Sequence, residues 1–545
     1  MISKTALKQL SVNGAVALAV VVTLMAPAYL FPWFSDQPVT WYREKYFWMF
    51  LAFGFILASC RSFKVVASTL GLLAVLEFTQ FGSLAYSGDY ITPFSIGLMF
   101  VEFAEVGETA FANTNHFLYV PFIVLVPYAS CLWAIRATWE QQYKIKGFTI
   151  LIILFLAFPA IRVNTHSDRN DILKFFPVTA NPTLVNTLNS YAIWLTVLVP
   201  EKFQKRESTH YQAYSIEKNG AYRGPMTIIV VMGESLTPNH MSLYGYNRKT
   251  TPFLDSLTGN PNFIYKKGFS AATATRSTLP MFYNLQYNPL DEDILKRQRT
   301  NLFHLAKKNG FKTFYISAQN SNCLNGVQVS SIEQMVTSDT QEELFLREKD
   351  EGLLELVRNI ELGERNFIVL HQRNIHLPYQ ANTSHRPNFI KFPYEGLSYQ
   401  EASFNAYDNA LLYADFLYRQ LITEVVQKQQ QPVYCFFTSD HGEELGENGR
   451  WGHDKLTINT SMVPFMFYGR NVEPAFKDKF LGLHMPTHYE LGILLAELLG
   501  YTIHNPYEEK DVVYVNGVAS FGKSGYMRFT KNGDELPTDV KVFGM

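Results

Sequence analysis

The chain has 545 residues, with 47 Lys and Arg against 48 Asp and Glu, so its formal net charge is -1. Hydrophobic residues make up 47% and charged residues only 17%, below the share of about 25% that is typical of soluble domains. This composition excludes a disordered chain, and the balanced charge excludes a generally basic surface for nucleic acid. The length predicts more than one domain, because one domain holds roughly 100 to 200 residues.

The apolar excess is concentrated near the N-terminus. Five apolar runs lie at Val12–Phe31, Tyr46–Cys60, Phe63–Tyr86, Phe117–Ala137 and Gly147–Ile161. Most are near the length of about 20 residues that crosses a bilayer as a helix. We interpret them as five transmembrane helices in a domain over residues 1–161. Buried helices of a large soluble core are the alternative, which the clustering of the runs in the first third of the chain disfavours.

The distribution of basic residues predicts the orientation of these helices. Lys and Arg occur in the N-terminal tail and in the second-to-third and fourth-to-fifth connections, at Lys4, Lys8, Arg61, Lys64, Arg136, Lys144 and Lys146. The loop from Ser87 to His116 has none. Because basic connections stay in the cytoplasm, we expect a cytoplasmic N-terminus and a C-terminal part on the opposite side, which is the periplasm in a diderm bacterium.

Residues 162–225 are interpreted as a periplasmic connector. Its segment Pro182–Val199 is amphipathic and contains Tyr191 and Trp194. Aromatic residues in such a segment are typical of a helix at the membrane surface. A linker helix packed on the next domain is the alternative interpretation.

From residue 226 onward, apolar runs alternate with helical patterns. The predicted strands are Thr227–Met232, Thr313–Ser317, Phe367–His371, Val433–Thr438 and Val463–Tyr468. The predicted helices between and after them are Asn301–Asn309, Tyr399–Gln427 and His488–Leu499. Continuous apolar strands separated by helices are typical of a largely parallel sheet covered on both faces. We therefore predict an α/β domain over residues 226–545.

Polar residues follow several of these strands. Glu234 follows the first, His371 ends the third, and Asp440 and His441 follow the fourth. Ligands of parallel sheets bind beyond the carboxyl ends of the strands. A single Asp-His pair is a weak signal, but two carboxylates and one imidazole at one sheet edge suit zinc, or manganese as the alternative.

The segment Ser270–Pro280 is rich in hydroxyl groups and contains no carboxylate. Its ordinary interpretation is a loop that hydrogen-bonds its own backbone. A hydroxyl group is a poor nucleophile unless a base or a metal activates it. The hydroxyl-rich segment and the candidate metal ligands therefore complement each other as parts of one catalytic site.

Two long motifs resemble those of a known enzyme family. Val231–Pro252 reads VMGESLTPNHMSLYGYNRKTTP, and Ser439–Gly449 reads SDHGEELGENG, with His453 shortly after. They resemble the bacterial phosphoethanolamine transferases, and the resemblance covers nearly the whole chain. It implies an inner-membrane anchor and a periplasmic domain of the alkaline-phosphatase/sulfatase-like fold.

The resemblance implies a zinc site and a nucleophile. Glu234, Asp440 and His441 match the family's Zn²⁺ ligands, and Thr275 matches the nucleophilic threonine that also contacts the metal. Thr275 lies five residues before Pro280, as the family's threonine precedes its proline. Thr273 and Thr278 are the nearest rivals for this role.

Further matches imply contacts to the substrate. His376 and His453 match histidines placed around the substrate phosphate or a second zinc. Ser321 matches a hydroxyl near the head group.

The loop before the fourth span departs from the family pattern. Relatives carry an Asn, a Thr and a Glu spaced by four residues that face the ethanolamine group, whereas this chain has Glu105, Thr109 and Asn113 in the reverse order. The spacing places all three on one face of a helix. We interpret them as donor-binding residues.

The nucleophile segment departs as well. Ala271 and Met281 occupy the places of two cysteines that flank it in lipid A-modifying relatives. Only Cys323 and Cys435 lie in the exported part, so no disulfide framework is predicted.

The implied function is zinc-dependent transfer of phosphoethanolamine from phosphatidylethanolamine to lipid A, the lipopolysaccharide core or a periplasmic glycan. The transfer would pass through a covalent phosphothreonine-type intermediate and release diacylglycerol, with the protein acting as a monomer. Phosphoglycerol transfer and phosphodiester hydrolysis are the alternatives on the same fold. A sulfatase is disfavoured, because Thr275–Pro280 contains no C/S-x-P-x-R motif. A scaffold protein without chemistry would be expected to lack the ligands.

Overall fold

The computed structural model describes residues 3–35, 44–87, 90–101, 103, 107, 117–165, 175, 177, 181–201, 212–220, 224–324, 326–327, 329–453, 455–519 and 522–543. The chain divides into two compact units. The first comprises Met1–Arg206 together with Glu447–Trp451, and the second comprises Glu207–Gly446 and Gly452–Met545. The predicted boundaries at 161 and 225 stay predictions.

The first unit is built from helices. They are α1 (Lys4–Leu30), α2 (Glu44–Ser59), α3 (Phe63–Ser87), α4 (Pro93–Val101), α5 (Tyr119–Ala137), α6 (Phe148–Asn164), α7 (Thr183–Ile193) and α8 (Val199–Glu201). A π-helix, Trp194–Leu198, joins α7 to α8. Among the described residues, three helical segments are long and apolar enough to cross a membrane, namely Lys4–Trp33, Phe63–Tyr86 and Tyr119–Ala137. All five predicted apolar runs are thus helical, while five membrane crossings stay a prediction.

Buried polar contacts join the helices of this unit. The Tyr128 hydroxyl of α5 donates to Glu77 Oε2 of α3 at 2.9 Å, and Glu77 is fully buried. Thr187 of α7 donates to Gln80 of α3 at 3.3 Å. A buried polar side chain without a partner would cost free energy, so these contacts specify how the helices pack. Helix α7 therefore packs on α3, and its position at a membrane surface stays a prediction.

The second unit contains all the described strands except for part of one short strand. They are β1 (Ser215–Lys218), β2 (Met226–Gly233), β3 (Phe263–Phe269), β4 (Lys312–Ser317), β5 (Gln334–Val336), β6 (Arg365–His371), β7 (Val433–Ser439), β8 (Glu444–Leu445), β9 (Trp451–Gly452), β10 (Met462–Arg470), β11 (Tyr501–His504), β12 (Val512–Asn516), β13 (Tyr526–Thr530) and β14 (Lys541–Phe543).

The helices of the second unit cover the sheet and connect its strands. They are α9 (Pro252–Ser256), α10 (Thr275–Tyr283), α11 (Glu292–Arg297), α12 (Leu302–Lys308), α13 (Glu342–Glu348), α14 (Glu351–Asn359), α15 (Tyr399–Gln420), α16 (Ile458–Ser461), α17 (Pro474–Leu481) and α18 (His488–Leu498). Helix α15 continues into a π-helix, Leu421–Val426. The predicted helices at 301–309, 399–427 and 488–499 are confirmed within a few residues.

A seven-stranded mixed sheet is the centre of the second unit. Its strand order is β3-β10-β7-β2-β6-β4-β5. The five strands from β7 to β5 are parallel, whereas β10 runs antiparallel to both β7 and β3. Strands β2 and β7 are buried along their whole length. Burial on both faces explains their continuous apolar sequence, and the predicted α/β class is confirmed.

Smaller sheets accompany the main sheet in this unit. Strands β12, β13 and β14 form an antiparallel sheet, and β1 pairs antiparallel with β11. Phe269, at the end of β3, packs in a cluster with Val513 and Val515 of β12 and with Met527 and Phe529 of β13. The main sheet and the β12–β14 sheet therefore share an apolar contact beside the hydroxyl-rich segment that begins at Ser270.

Gly268 marks a close approach between two segments of this region. A Cβ atom at this position would lie 2.0 Å from the carbonyl oxygen of Pro486 and 2.7 Å from the Phe465 ring. The next residue, Phe269, donates its N–H to the same Pro486 oxygen at 2.8 Å. The hydrogen bond therefore requires a residue without a side chain beside it.

We expect Gly268→Ala to lower the free energy of unfolding by about 1 to 3 kcal/mol, because the added methyl group forces the backbone at Pro486 away. Calorimetric unfolding of the detergent-solubilised chain would show a lower transition temperature. Gly224→Ala is the matched control, since no atom lies within 4 Å of the position that its methyl group would take. Equal transition temperatures for Gly268→Ala and the unaltered protein would contradict the packing argument.

Candidate active site

The pairing of β2 with β7 positions the acidic residues. Gly233 at the end of β2 lies opposite Ser439 at the end of β7 in a parallel register. Glu234 and Asp440 are the next residues of the two strands, so they leave the sheet side by side. Both side chains are buried. The structure thus brings together two carboxylates that are 206 residues apart in the sequence.

His441 and Thr275 complete this cluster. His441 Nε2 lies 3.5 Å from Glu234 Oε1 and 3.4 Å from Asp440 Oδ2. The Thr275 hydroxyl donates to Asp440 Oδ2 at 2.6 Å and lies 3.4 Å from Glu234 Oε2. All four predicted metal-site residues therefore meet in the described structure.

The cluster fits a metal ion by its own chemistry. Ligand atoms of Glu234, Asp440 and His441 lie within 4.8 Å of one another. His441 Nε2 is buried and has no hydrogen-bond partner among the described residues. Two buried carboxylates and an imidazole nitrogen form a donor set that suits zinc. An ion bound between them would satisfy the nitrogen and offset the buried negative charge.

Electrostatics support this interpretation. Burial and then the neighbouring Glu234 carboxylate raise the pKa of Asp440 well above its ordinary value. Burial opposes ionisation of Glu234 too, but His441, His376 and His453 outweigh it and lower the Glu234 pKa. Burial, followed by the neighbouring His453, lowers the pKa of His441 to about 4. The neutral imidazole therefore has a lone pair available for a metal.

Thr275 is distinguished from its rivals by position. It is the first residue of helix α10, where the unpaired N–H groups and the helix dipole favour negative charge. Thr278 instead donates to the carbonyl oxygen of Ala272 at 3.1 Å, and Thr273 is fully buried. Of the three threonines, Thr275 is the one whose hydroxyl contacts the acidic cluster.

Packing and hydrogen bonds hold the hydroxyl-rich segment Ser270–Pro280 in place. Ala271 and Met281 pack with Ala272 in a small hydrophobic cluster. Ala271 donates its N–H to His488 Nδ1 at 3.1 Å and accepts from the N–H of Asn516 at 2.8 Å. The four cysteines of the chain form no disulfide. The prediction that no disulfide framework is present is therefore confirmed.

Two residues that support Glu234 were not predicted. Gln319 donates to Glu234 Oε2 at 2.6 Å and to the carbonyl oxygen of Gln372 at 2.9 Å. Ser235 donates its hydroxyl to Glu234 Oε1 at 2.7 Å. Gln319 lies two residues beyond β4, at the same sheet edge as Glu234, and this position was the signal that could have identified it.

Ser235 itself adopts a left-handed backbone conformation, with φ of 56°. This conformation is unfavourable for a residue with a side chain and requires support. The Ser235 N–H donates to Asp440 Oδ1 at 3.1 Å, and its carbonyl oxygen accepts from the Tyr407 hydroxyl at 2.6 Å. The turn that presents Glu234 is therefore held from both sides.

The two predicted substrate histidines lie near the cluster. The His453 ring centroid is 4.0 Å from that of His441, and His453 Nδ1 lies 2.9 Å from Glu443 Oε2. His376 donates from Nδ1 to the carbonyl oxygen of Leu377 at 2.6 Å. Glu443 was not predicted, yet with His441 and His453 it forms a second group that could hold a metal. Its place two residues after His441 was the available signal.

Of the remaining predicted residues, Ser321 is described, and it does not join the cluster. Ser321 donates its N–H and hydroxyl to Asp339, at 3.0 and 2.7 Å. Its hydroxyl therefore has a structural partner near the surface. Glu105, Thr109 and Asn113 lie outside the described residues, so their donor-binding role stays a prediction.

Comparisons with known proteins agree with this geometry. The family model described as Sulfatase matches residues 226–485. Phosphoethanolamine transferase EptC of Escherichia coli K12 is 24% identical over 480 residues, which cover 79% of each chain. Kdo(2)-lipid A phosphoethanolamine 7''-transferase of the same organism is 24% identical over 299 residues, about half of each chain.

A solved structure extends the similarity across both units. The integral membrane protein lipooligosaccharide phosphoethanolamine transferase A (EptA) from Neisseria meningitidis matches with a TM-score of 0.60 and 16% identity. The match covers 90% of this chain and 95% of the EptA chain. This likeness concerns the fold. The chain is thus similar to the Sulfatase family model over residues 226–485, and its predicted resemblance to the phosphoethanolamine transferases is confirmed over most of its length.

Proposed function

We propose that this protein is a zinc-dependent phosphoethanolamine transferase that takes its donor from the membrane. One observation carries the proposal: the Thr275 hydroxyl lies 2.6 Å from Asp440 in a buried cluster with Glu234 and His441, whose Nε2 has no hydrogen-bond partner among the described residues. Hydrolases and transferases that form covalent intermediates need a nucleophile held beside an activating group. The described cluster supplies that arrangement.

Glu234, Asp440, His441 and the hydroxyl oxygen of Thr275 would hold the zinc ion. When bound, zinc supplies Lewis acidity, which favours ionisation of a nearby hydroxyl and stabilises negative charge on phosphoryl oxygens. Gln319 and Ser235 hold the Glu234 carboxylate in place through their hydrogen bonds. Such supporting contacts orient ligands and tune their basicity.

The chemistry begins at Thr275. Its oxygen forms a bond to the phosphorus of phosphatidylethanolamine, the bond from phosphorus to the diacylglycerol oxygen breaks, and the departing oxygen receives a proton. The threonine then carries phosphoethanolamine. In the second half, an acceptor oxygen attacks the same phosphorus, the Thr275 bond breaks, and the threonine hydroxyl is restored. The N-terminus of α10 places favourable backbone dipoles beside the transferring group.

The two histidines serve the proton transfers. Because the Glu443 carboxylate can only accept a hydrogen bond, His453 carries its proton on Nδ1, and the lone pair that takes up a further proton is on Nε2. His376 also donates from Nδ1, to a backbone carbonyl oxygen, so its Nε2 is likewise the nitrogen that would take up a proton. The proton removed from Thr275 can thus reach the diacylglycerol oxygen, and the acceptor's proton can return to Thr275.

A phospholipid donor gives the helical unit a function. A phospholipid head group must reach the site from a bilayer, and three described helical segments are long and apolar enough to cross one. We infer an inner-membrane protein whose catalytic unit lies in the periplasm. The acceptor is lipid A, the lipopolysaccharide core or a periplasmic glycan, and the named Escherichia coli relative that modifies Kdo(2)-lipid A supports the first of these.

We expect Thr275→Ala to lower transfer by about a thousandfold or more, because the covalent intermediate cannot form. Thr275→Ser keeps a hydroxyl and should retain measurable transfer. Thr278→Ala, in a residue bonded to the local backbone, is the matched threonine control. Mass spectrometry of envelope lipids and glycans from producing cells would measure added phosphoethanolamine. Full transfer by Thr275→Ala would contradict the proposed nucleophile, and addition of phosphoglycerol instead would contradict the proposed head group.

Removal of one carboxylate from the cluster should release the metal. We expect Glu234→Gln and Asp440→Asn to reduce bound zinc from about one ion per chain to a small fraction, since each replaces a charged ligand with a neutral amide. Elemental analysis of the purified chain measures the metal. Asp415→Asn is the control, because Asp415 is buried but accepts from the backbone of Phe253 and Leu254 instead. Undiminished zinc in both cluster variants would rule out the proposed ligands.

A further inference from the structure

Two buried tyrosines lie behind the cluster and contact each other. Tyr379 is 2% exposed and Tyr407 is fully buried. Their ring centroids are 5.1 Å apart and the rings are nearly perpendicular, at 89°. Edge-to-face aromatic pairs of this kind favour one fixed arrangement. The two hydroxyl groups point to different parts of the site.

The Tyr379 hydroxyl leads to His453. It donates to Glu443 Oε1 at 2.6 Å, and Glu443 Oε2 lies 2.9 Å from His453 Nδ1. Glu443 is 1% exposed, so its carboxylate depends on these partners instead of water. One oxygen of the Glu443 carboxylate therefore bonds Tyr379 and the other bonds His453. This arrangement fixes the plane of the carboxylate and, through it, the orientation of the His453 ring.

The Tyr407 hydroxyl leads to Glu234. It donates to the carbonyl oxygen of Ser235 at 2.6 Å and accepts from the N–H of Thr237 at 2.9 Å. These bonds hold the left-handed turn that directly follows Glu234. Tyr407 therefore supports a metal ligand, whereas Tyr379 supports a histidine that contacts the ring of His441.

Tyr379 also fixes the distance between two chain segments. It begins a short helical turn, Tyr379–Asn382, three residues after His376. Its bond to Glu443 consequently ties the segment of His376 to the loop that carries His453. Tyr379 can therefore influence the distance between the His376 and His453 rings as well as the orientation of the His453 ring.

We propose that Tyr379 is a positioning residue that acts through Glu443 to hold His453 Nε2 toward the transferring phosphoryl group. The inference deepens the proposed function and rests on it. The hydroxyl of Tyr379 bonds Glu443, which is not among the ligands proposed for the zinc ion. Glu443 belongs to the second group, with His441 and His453, and in this proposal that group orients His453 for turnover and holds no metal. Tyr407, which holds the turn after Glu234, serves zinc binding instead.

The two Tyr→Phe variants separate these roles, because each removes one hydroxyl and keeps the ring. In the purified full-length chain, we expect Tyr379→Phe to lower kcat about ten- to a hundredfold with normal zinc content. We expect Tyr407→Phe to weaken zinc binding by a similar factor, with activity restored by added zinc. Tyr413→Phe, which removes a hydroxyl bonded to the distant Glu351, is the matched control with normal kcat and zinc.

A double-mutant cycle tests whether Tyr379 acts through His453. If it does, Tyr379→Phe and His453→Gln should be strongly non-additive in kcat, and the double variant should resemble His453→Gln alone. Additive effects on kcat would overturn the inference. It would also be overturned if Tyr379→Phe kept a kcat within about twofold of the unaltered enzyme, or if Tyr379→Phe lost as much zinc as Tyr407→Phe. Absence of transfer by the unaltered protein would refute the proposed function itself, which distinguishes the two failures.

Discussion

The parallel pairing of β2 with β7 is the constraint on which the site depends. Because Gly233 and Ser439 are opposite each other, Glu234 and Asp440 emerge at one height and one edge of the sheet. Both strands are buried along their length, so a slip of one residue would exchange the side chains between the two packed faces and would separate the two acids. The hydrophobic core of the second unit thus fixes the spacing of its most polar residues.

That spacing concentrates negative charge in a buried place, and the surrounding groups must stabilise it. The two buried carboxylates, which have ligand atoms within 4.8 Å of each other, repel each other, and the raised pKa of Asp440 reflects burial first and then this repulsion. Hydrogen bonds from Ser235, Gln319 and Thr275 stabilise this negative charge, whereas the His441 Nε2, which has no hydrogen-bond partner among the described residues, offers a lone pair. A divalent cation is the group that would offset this charge most fully. The nucleophile lies where that cation would activate it.

Much of the fold could be predicted from the sequence, because burial on both faces leaves a strong pattern. The five predicted strands are present, and the three predicted helices end within a few residues of their expected limits. Strand β3 was not predicted, since its two lysines and half-buried positions are typical of a sheet edge and break the apolar run. The antiparallel direction of β10 depends on which strand it joins, and apolar composition does not encode that choice.

The candidate site divides in the same way. Glu234, Asp440 and His441 belong to recognisable motifs at strand ends, whereas Gln319 and Glu443 are ordinary loop residues until the fold places them beside a ligand. The choice of Thr275 over Thr273 and Thr278 also required the structure, because three threonines within six residues are equivalent in composition. Ser321 shows the reverse, since its hydroxyl bonds Asp339 instead of joining the cluster.

The covalent step is the centre of the proposed mechanism, and a labelled donor tests it most directly. The purified full-length chain would be mixed with phosphatidylethanolamine that carries an isotopic label in its head group, without an acceptor, and then digested and mapped by mass spectrometry. We expect labelled phosphoethanolamine on Thr275, and we expect the label to leave Thr275 when acceptor is added. Label on another residue, or turnover of the donor with Thr275 unmodified throughout, would contradict it.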